Sequence, residues 1–126
     1  MSCDHSILVV EDDLALAKQY LETFERLGVG QLHLATDLVA ANQICDRNRL
    51  SGVLMDFCLG GGSDTLQLGS VLRRRKIPFI VISGYSSEDI FVGLQPDGFM
   101  QKPVGTPDFE KTVCELFKIG YAKICA

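Results

Sequence analysis

The sequence predicts an α/β fold: a single domain built on a five-stranded parallel sheet with helices between the strands. Three observations carry that prediction. Five short apolar runs are rich in β-branched residues, most gaps between them repeat with a helical period, and 126 residues at 47% hydrophobic suffice for one core. Strands that alternate with helices in this way build parallel βαβ units.

The strand-like runs are "ILVV" (7–10), "QLHLA" (31–35), "GVLM" (52–55), "FIVIS" (79–83) and "GFMQ" (98–101). After the first, Leu14, Ala17, Leu21 and Phe24 recur on one helical face; after the second, Leu38, Ala41, Ile44 and Cys45 do so. The third connection opens in "GGGSD", read as loop, and continues as "TLQLGSVLRRRK" with Leu66, Leu68 and Leu72 inward. Its basic run, Arg73 to Lys76, falls where a helix ends and complements the C-terminal dipole. The fourth connection, "GYSSEDIFVGLQPDG", contains Gly93, Pro96 and Gly98, which leaves room for a shortened fourth helix of about a turn or two. In the last helix Thr106 is the expected N-cap and Pro107 the first helical residue, with Asp108 complementing the dipole and Phe109, Val113, Leu116 and Phe117 facing the core.

A net charge of −4 and a pI near 5.0 argue against a general nucleic-acid or anionic-membrane surface, both of which require a basic face. The five cysteines, Cys3, Cys45, Cys58, Cys114 and Cys125, are scattered without metal-site spacing, as expected of a reduced chain. His5 and His33 lie far apart beside strand-like segments and are read as structural. No apolar run reaches membrane-spanning length, and "MSCDHS" lacks the features of a signal peptide. The expectation is one cytoplasmic domain spanning residues 1–126.

The apolar strands turn polar at their carboxyl ends, where an open parallel sheet binds its ligands. The first run meets Glu11 and Asp12, the third Asp56, the fourth Ser83 and Gly84, and the fifth Lys102 followed by Pro103. Three carboxylates against one ammonium leave two negative charges, which a divalent cation would neutralise. Mg2+ suits such a place, since it takes hard oxygen ligands, keeps several waters and uses only one or two carboxylates. Asp13 stands where the first helix begins and is read as its N-cap. Asp56 could then attack phosphorus, with Mg2+, Lys102 and Ser83 taking up charge on the transferring group. Taken singly, each of these residues could equally be a solvated loop residue. Five together at one sheet edge point to a site.

In the order "ILVVEDD", "VLMDF", "FIVISG" and "QKPV", these residues resemble the receiver domain of bacterial two-component response regulators over nearly the whole chain. The resemblance implies a doubly wound, flavodoxin-like fold. It also implies a phosphorelay role in which Asp56 accepts a phosphoryl group from a sensor histidine kinase or a histidine phosphotransfer protein. Glu11 and Asp12 match the family's acid pair, Ser83 its hydroxyl residue and Lys102 its lysine. The backbone carbonyl of Cys58 matches a further Mg2+ ligand, and Lys102-Pro103 a cis peptide bond. "CLGGGSD" lacks the proline usual after the acceptor. "PFIVISGY" with a stunted fourth connection is similar to a single-domain subgroup marked by a Phe-Ala-Thr-Gly-Tyr type motif, varied here at Ile82 and Ser83.

Phe99 falls at the family's switch aromatic without its hydroxyl, so core packing is an equal reading. Cys58 and Tyr85 match the two positions that tune phosphoryl lifetime, and neither offers a carboxylate or amide to orient an attacking water. Slow self-dephosphorylation is therefore expected, although Cys58 could equally serve packing. With no DNA-binding or catalytic unit legible in the sequence, the expected output is contact with a downstream protein of unknown identity. A phosphate sink without effector is the alternative. A Mg2+-dependent phosphatase with an Asp nucleophile would want a second acid two residues on, where Cys58 stands. A flavin site would want a phosphate-cradling loop in place of "EDD".

Overall fold

The computed structural model describes residues 5–56, 62–84 and 94–119, with the side chains of 62–64 excepted. Along these residues run β1 (Ser6–Val10), α1 (Leu14–Arg26), β2 (Gln31–Ala35), α2 (Leu38–Arg47), β3 (Gly52–Asp56), α3 (Gly62–Arg74), β4 (Phe79–Ser83), β5 (Gly98–Gln101) and α4 (Thr106–Phe117). The five strands form one sheet in the order β2-β1-β3-β4-β5, every pair parallel. The chain moves outward from β1 to β2 and then returns across β1 to place β3, so the order reverses between β1 and β3. A parallel sheet binds ligands beside such a reversal.

β1, β3 and β4 are buried at every residue, as strands covered on both faces must be. Their alternate side chains feed two separate cores. Leu8, Val10, Val53, Met55, Phe79 and Val81 pack with Ala41 and Cys45 of α2 and Leu68 and Leu72 of α3. Ile7, Val9, Leu54, Ile80 and Ile82 pack on the other face with Phe24 of α1 and Phe109, Val113 and Phe117 of α4. Two of the described helices therefore lie on each side, and burying each large side chain contributes roughly 1.5–3 kcal/mol. The shortened fourth helix expected between β4 and β5 lies outside the described residues.

Several element boundaries differ from expectation. Leu14 is 65% exposed: it borders a shallow groove beside the edge strand β2 together with Leu21, Leu32 and Leu34. Leu66 is also exposed, because Thr65, Leu68 and Leu72 set the inward stripe of α3 and one residue is about 100° of rotation. α3 begins at Gly62, inside the stretch read as loop; glycine weakens a helix without forbidding one, and packing of Leu68 and Leu72 outweighs its propensity. The N-cap of α4 is Gly105, whose carbonyl accepts from the Phe109 N–H at 2.9 Å, so Thr106 and Pro107 both lie in the first turn. Amide hydrogens there have no helical partner, and a proline loses nothing at either position.

Asp13 caps α1, accepting from the backbone N–H groups of Ala15 at 3.0 Å and Leu16 at 3.3 Å. Two strand glycines let α4 settle close to the sheet. A Cβ on Gly52 would run into the buried ring of Phe117, and one on Gly98 into Leu116. A buried ring cannot step aside as a leucine methyl can, so Gly52→Ala is expected to destabilise the fold by about 1–3 kcal/mol in urea unfolding, and Gly98→Ala by less.

Both ends of β5 are fastened to β4. At its start the Asp97 N–H donates to the Phe79 carbonyl and the Phe79 N–H donates to Asp97 Oδ2, each at 2.9 Å. Beyond its end the Lys102 N–H donates to the Ser83 carbonyl at 2.7 Å. The histidines also serve the scaffold: His33 Nε2 lies 3.1 Å from Ser6 Oγ, and His5 Nε2 3.1 Å from the Lys118 carbonyl. Cys45 is a free thiol, and burial pushes it up. No helix among the described residues is long and apolar enough to cross a membrane.

Candidate functional site

At the carboxyl ends of β1, β3 and β4, apolar burial continues without a break into polar side chains. Glu11 extends β1 by one residue, its N–H donating to the Ala35 carbonyl at 3.0 Å, and its side chain is 1% exposed. Asp56 closes β3 at 4% exposure, and Ser83 closes β4, fully buried. Ser83 follows Ile82, the register partner of Asp56. Lys102 directly follows β5, is joined to Pro103 by a cis bond, and places Nζ 3.0 Å from Asp56 Oδ2. Its side chain remains 30% exposed, so one end of the ion pair faces water while the carboxylate does not.

The electrostatics of this group are unbalanced. Burial, hydrogen bonding with the Asp56 carboxyl and the Asp56 charge push the Glu11 carboxyl from 4.5 to about 7, against the opposing pull of the Asp13 N–H and Lys102. Glu11 Oε2 accepts from that N–H at 3.1 Å, whereas Oε1 is buried with no hydrogen-bond partner among the described residues. Burial alone would lower Lys102, but the hydrogen bond and charge of Asp56, with Tyr20 and Glu11, raise it, so it stays cationic. Two buried carboxyls therefore share one ammonium, and without another cation the pocket holds a proton on Glu11 near neutral pH.

Asp12 lies on the same turn but is exposed at the rim. Phe99 is half-buried and packs against the core on the α2 and α3 side. Cys58 and Tyr85 lie outside the described residues.

Tyr20 escaped the sequence reading. It stacks on Phe109, ring centroids 5.4 Å apart and planes within 6°, and lines a groove of about 640 Å3 with Ile82, Lys102 and Pro103. Burial pushes its phenol up to about 12, so it remains a neutral hydroxyl beside the acids. Its position, three residues after Ala17 and four before Phe24, reads as core; the hydroxyl on that inward face was the available signal.

Residues 7–113 match the profile of the response regulator receiver domain. The chain belongs to that family. Solved structures with the same fold include the receiver domain of a sensor histidine kinase from Pseudomonas aeruginosa, which has a magnesium ion coordinated in its active-site cleft. It is 19% identical with a TM-score of 0.74, over 91% of this chain and 98% of that one. The response regulator TrrA from Thermotoga maritima, in complex with Mg2+ and BeF, is 20% identical with a TM-score of 0.76, over 89% and 98%. A CheY-like receiver from Methylobacillus flagellatus is 23% identical with a TM-score of 0.71, over 90% and 98%. No curated protein sequence matches the chain.

The acid group of this receiver fits a divalent cation by its chemistry. The unpartnered Glu11 Oε1 and the raised Glu11 carboxyl mark unmet demand for positive charge. Among the described residues no group of three His, Cys, Asp or Glu side chains could hold a metal alone. The set suits an ion that completes its shell with water, as Mg2+ does, rather than one needing an all-protein cage.

Proposed function

We propose that residues 1–126 act as a stand-alone receiver that takes a phosphoryl group from a phosphohistidine donor onto Asp56 and signals by contact with a downstream protein. The donor would be a sensor histidine kinase or a histidine phosphotransfer protein, in the cytoplasm. The observation that carries this reading is the buried Glu11–Asp56 pair with Lys102 Nζ 3.0 Å from the Asp56 carboxylate. In the transfer an Asp56 oxygen attacks phosphorus, the P–N bond to the donor imidazole breaks, and its electron pair leaves with the imidazole. The product is a mixed anhydride. Lys102 moves from pairing with the carboxylate to pairing with a phosphoryl oxygen, and the Ser83 hydroxyl supplies a hydrogen bond to another. Glu11, Asp12 and Asp56, directly or through water, with the Cys58 carbonyl, would hold Mg2+, which would neutralise charge on the phosphoryl oxygens. Burial of Glu11, Asp56 and Ser83 keeps bulk water from the anhydride.

The test is incubation with a phosphorylated histidine donor or acetyl phosphate. A hydroxylamine-sensitive phosphoryl label should appear with Mg2+ and vanish with a chelator. Absence of label with either donor, together with no response to a beryllofluoride mimic, overturns the proposal. Because neither Cys58 nor Tyr85 can orient water through a carboxylate or amide, the label should persist for minutes or longer after donor removal. Loss within seconds would refute that slow-decay reading while leaving the acceptor assignment intact.

A further inference from the structure

At the end of the sheet opposite the acid group, the loops that precede β3 and β4 lie side by side, the Val53 N–H donating to the Pro78 carbonyl at 3.1 Å. Between them is a cleft of about 390 Å3 whose rim carries Arg47, Arg49, Arg75 and Lys76 against the single acid Asp46. Three positive charges are thus in excess at one end of a chain whose total is −4.

Helix ends account for only part of this charge: Arg47 lies in the last turn of α2, where it complements the dipole, whereas Arg49 lies beyond that helix. Arg75 reaches the end of α2, donating to the Cys45 carbonyl at 2.7 Å and to Asp46 Oδ1 at 2.8 Å, while Asn48 Nδ2 donates to the Ile44 carbonyl at 2.9 Å. The end of α3 is closed by backbone, with the Lys76 N–H donating to the Arg73 carbonyl and the Ile77 N–H to the Leu72 carbonyl. Arg47, Arg49 and Lys76 are exposed and form no ion pair among the described residues. Lys76 moreover sits at φ 58, the left-handed position after a helix where glycine fits without strain.

We propose that this cleft binds a compact polyphosphate anion, the phosphate chain of an inorganic oligophosphate or of a nucleoside polyphosphate. Guanidinium groups pair with phosphate oxygens in a planar, two-pronged geometry that suits Arg47 and Arg49. The patch is confined to two short loops on an acidic molecule, so the remaining surface repels an extended nucleic-acid backbone. Among the described residues no aromatic lines the cleft, so a nucleobase has nothing there to stack on and the phosphate chain is what is recognised.

The probe is tripolyphosphate, titrated calorimetrically into the full chain at low salt without Mg2+, with a nucleoside triphosphate, an acidic peptide and a short single-stranded oligonucleotide as comparisons. Tripolyphosphate should bind and weaken steeply as salt rises. Arg49→Gln and Lys76→Gly should each weaken it about tenfold, the loss expected for one charged hydrogen-bond partner. Lys76→Gly should hold or raise the melting midpoint, which separates lost binding from lost folding, and both variants should still take phosphoryl label at Asp56 at the wild-type rate. Equal affinity for the nucleoside triphosphate supports phosphate-chain recognition from either source. No binding at millimolar tripolyphosphate overturns the proposal, as do tighter binding of the peptide or oligonucleotide and a loss of binding in Lys102→Ala, which would place the anion at the acid group instead.

Discussion

Asp56→Asn is expected to abolish phosphoryl labelling outright, from a phosphohistidine donor and from acetyl phosphate alike. The amide is nearly isosteric with the carboxylate and can still accept a hydrogen bond from Lys102, now 3.0 Å from Asp56 Oδ2, so the fold should persist. What disappears is the anionic oxygen that attacks phosphorus, and neither Lys102 nor Ser83 replaces it. Label counted after gel separation decides the matter; equal labelling of wild type and variant would remove Asp56 from the acceptor role. The same substitution removes a charge that helps raise Glu11. Its carboxyl should therefore ionise at lower pH in the variant, visible as an earlier carboxyl titration by NMR.

The second large effect is a pH-dependent stability that Mg2+ reverses. Glu11 moves from 4.5 to about 7 on folding. Between those values the folded chain keeps a proton that the unfolded chain has released, so stability falls as pH rises. The Glu11 contribution is complete below about 4.5, is lost through pH 7, and amounts to an upper bound of about 3 kcal/mol for a shift of this size. A divalent cation acts in the opposite sense because it binds the ionised carboxylates. Urea unfolding in chelator should thus show this decline, and millimolar Mg2+ should restore stability at pH 8 while having little effect at pH 5. Glu11→Gln should flatten the metal-free slope and weaken the Mg2+ response. A metal-free stability independent of pH across this range, or equal Mg2+ effects at both pH values, would contradict the proposed charge balance.

The strands were legible because β-branched runs ending in polar residues are a local signal: "FIVIS" and "GFMQ" occupy the observed β4 and β5. Helix faces were legible only in part. Ala17 and Phe24 turn inward as their spacing implies, but Leu14 lies beside an edge strand, a fact set by strand order and invisible in periodicity. The inward role of Thr65 was hidden because a polar residue next to Leu66 looks like the outer face. At the site, composition and order brought Glu11, Asp56, Ser83 and Lys102 to one edge. They could not show that Glu11 Oε1 lacks a partner among the described residues or that Asp12 stays at the rim, since both depend on the angle at which the turn leaves β1. Tyr20 was missed for the same reason: its neighbour Phe109 is remote in sequence and adjacent only after α1 and α4 meet.

The fastening of β5 to β4 has an evolutionary consequence. With Asp97 clasping Phe79 at one end and Lys102 tied to Ser83 at the other, β5 is held to the sheet at both ends, and the ammonium with it. Residues inserted into or deleted from that span then carry mainly a ring-closure entropy of about 0.6 kcal/mol per doubling of length. Lineages can change the length of the span without disturbing the lysine that meets Asp56.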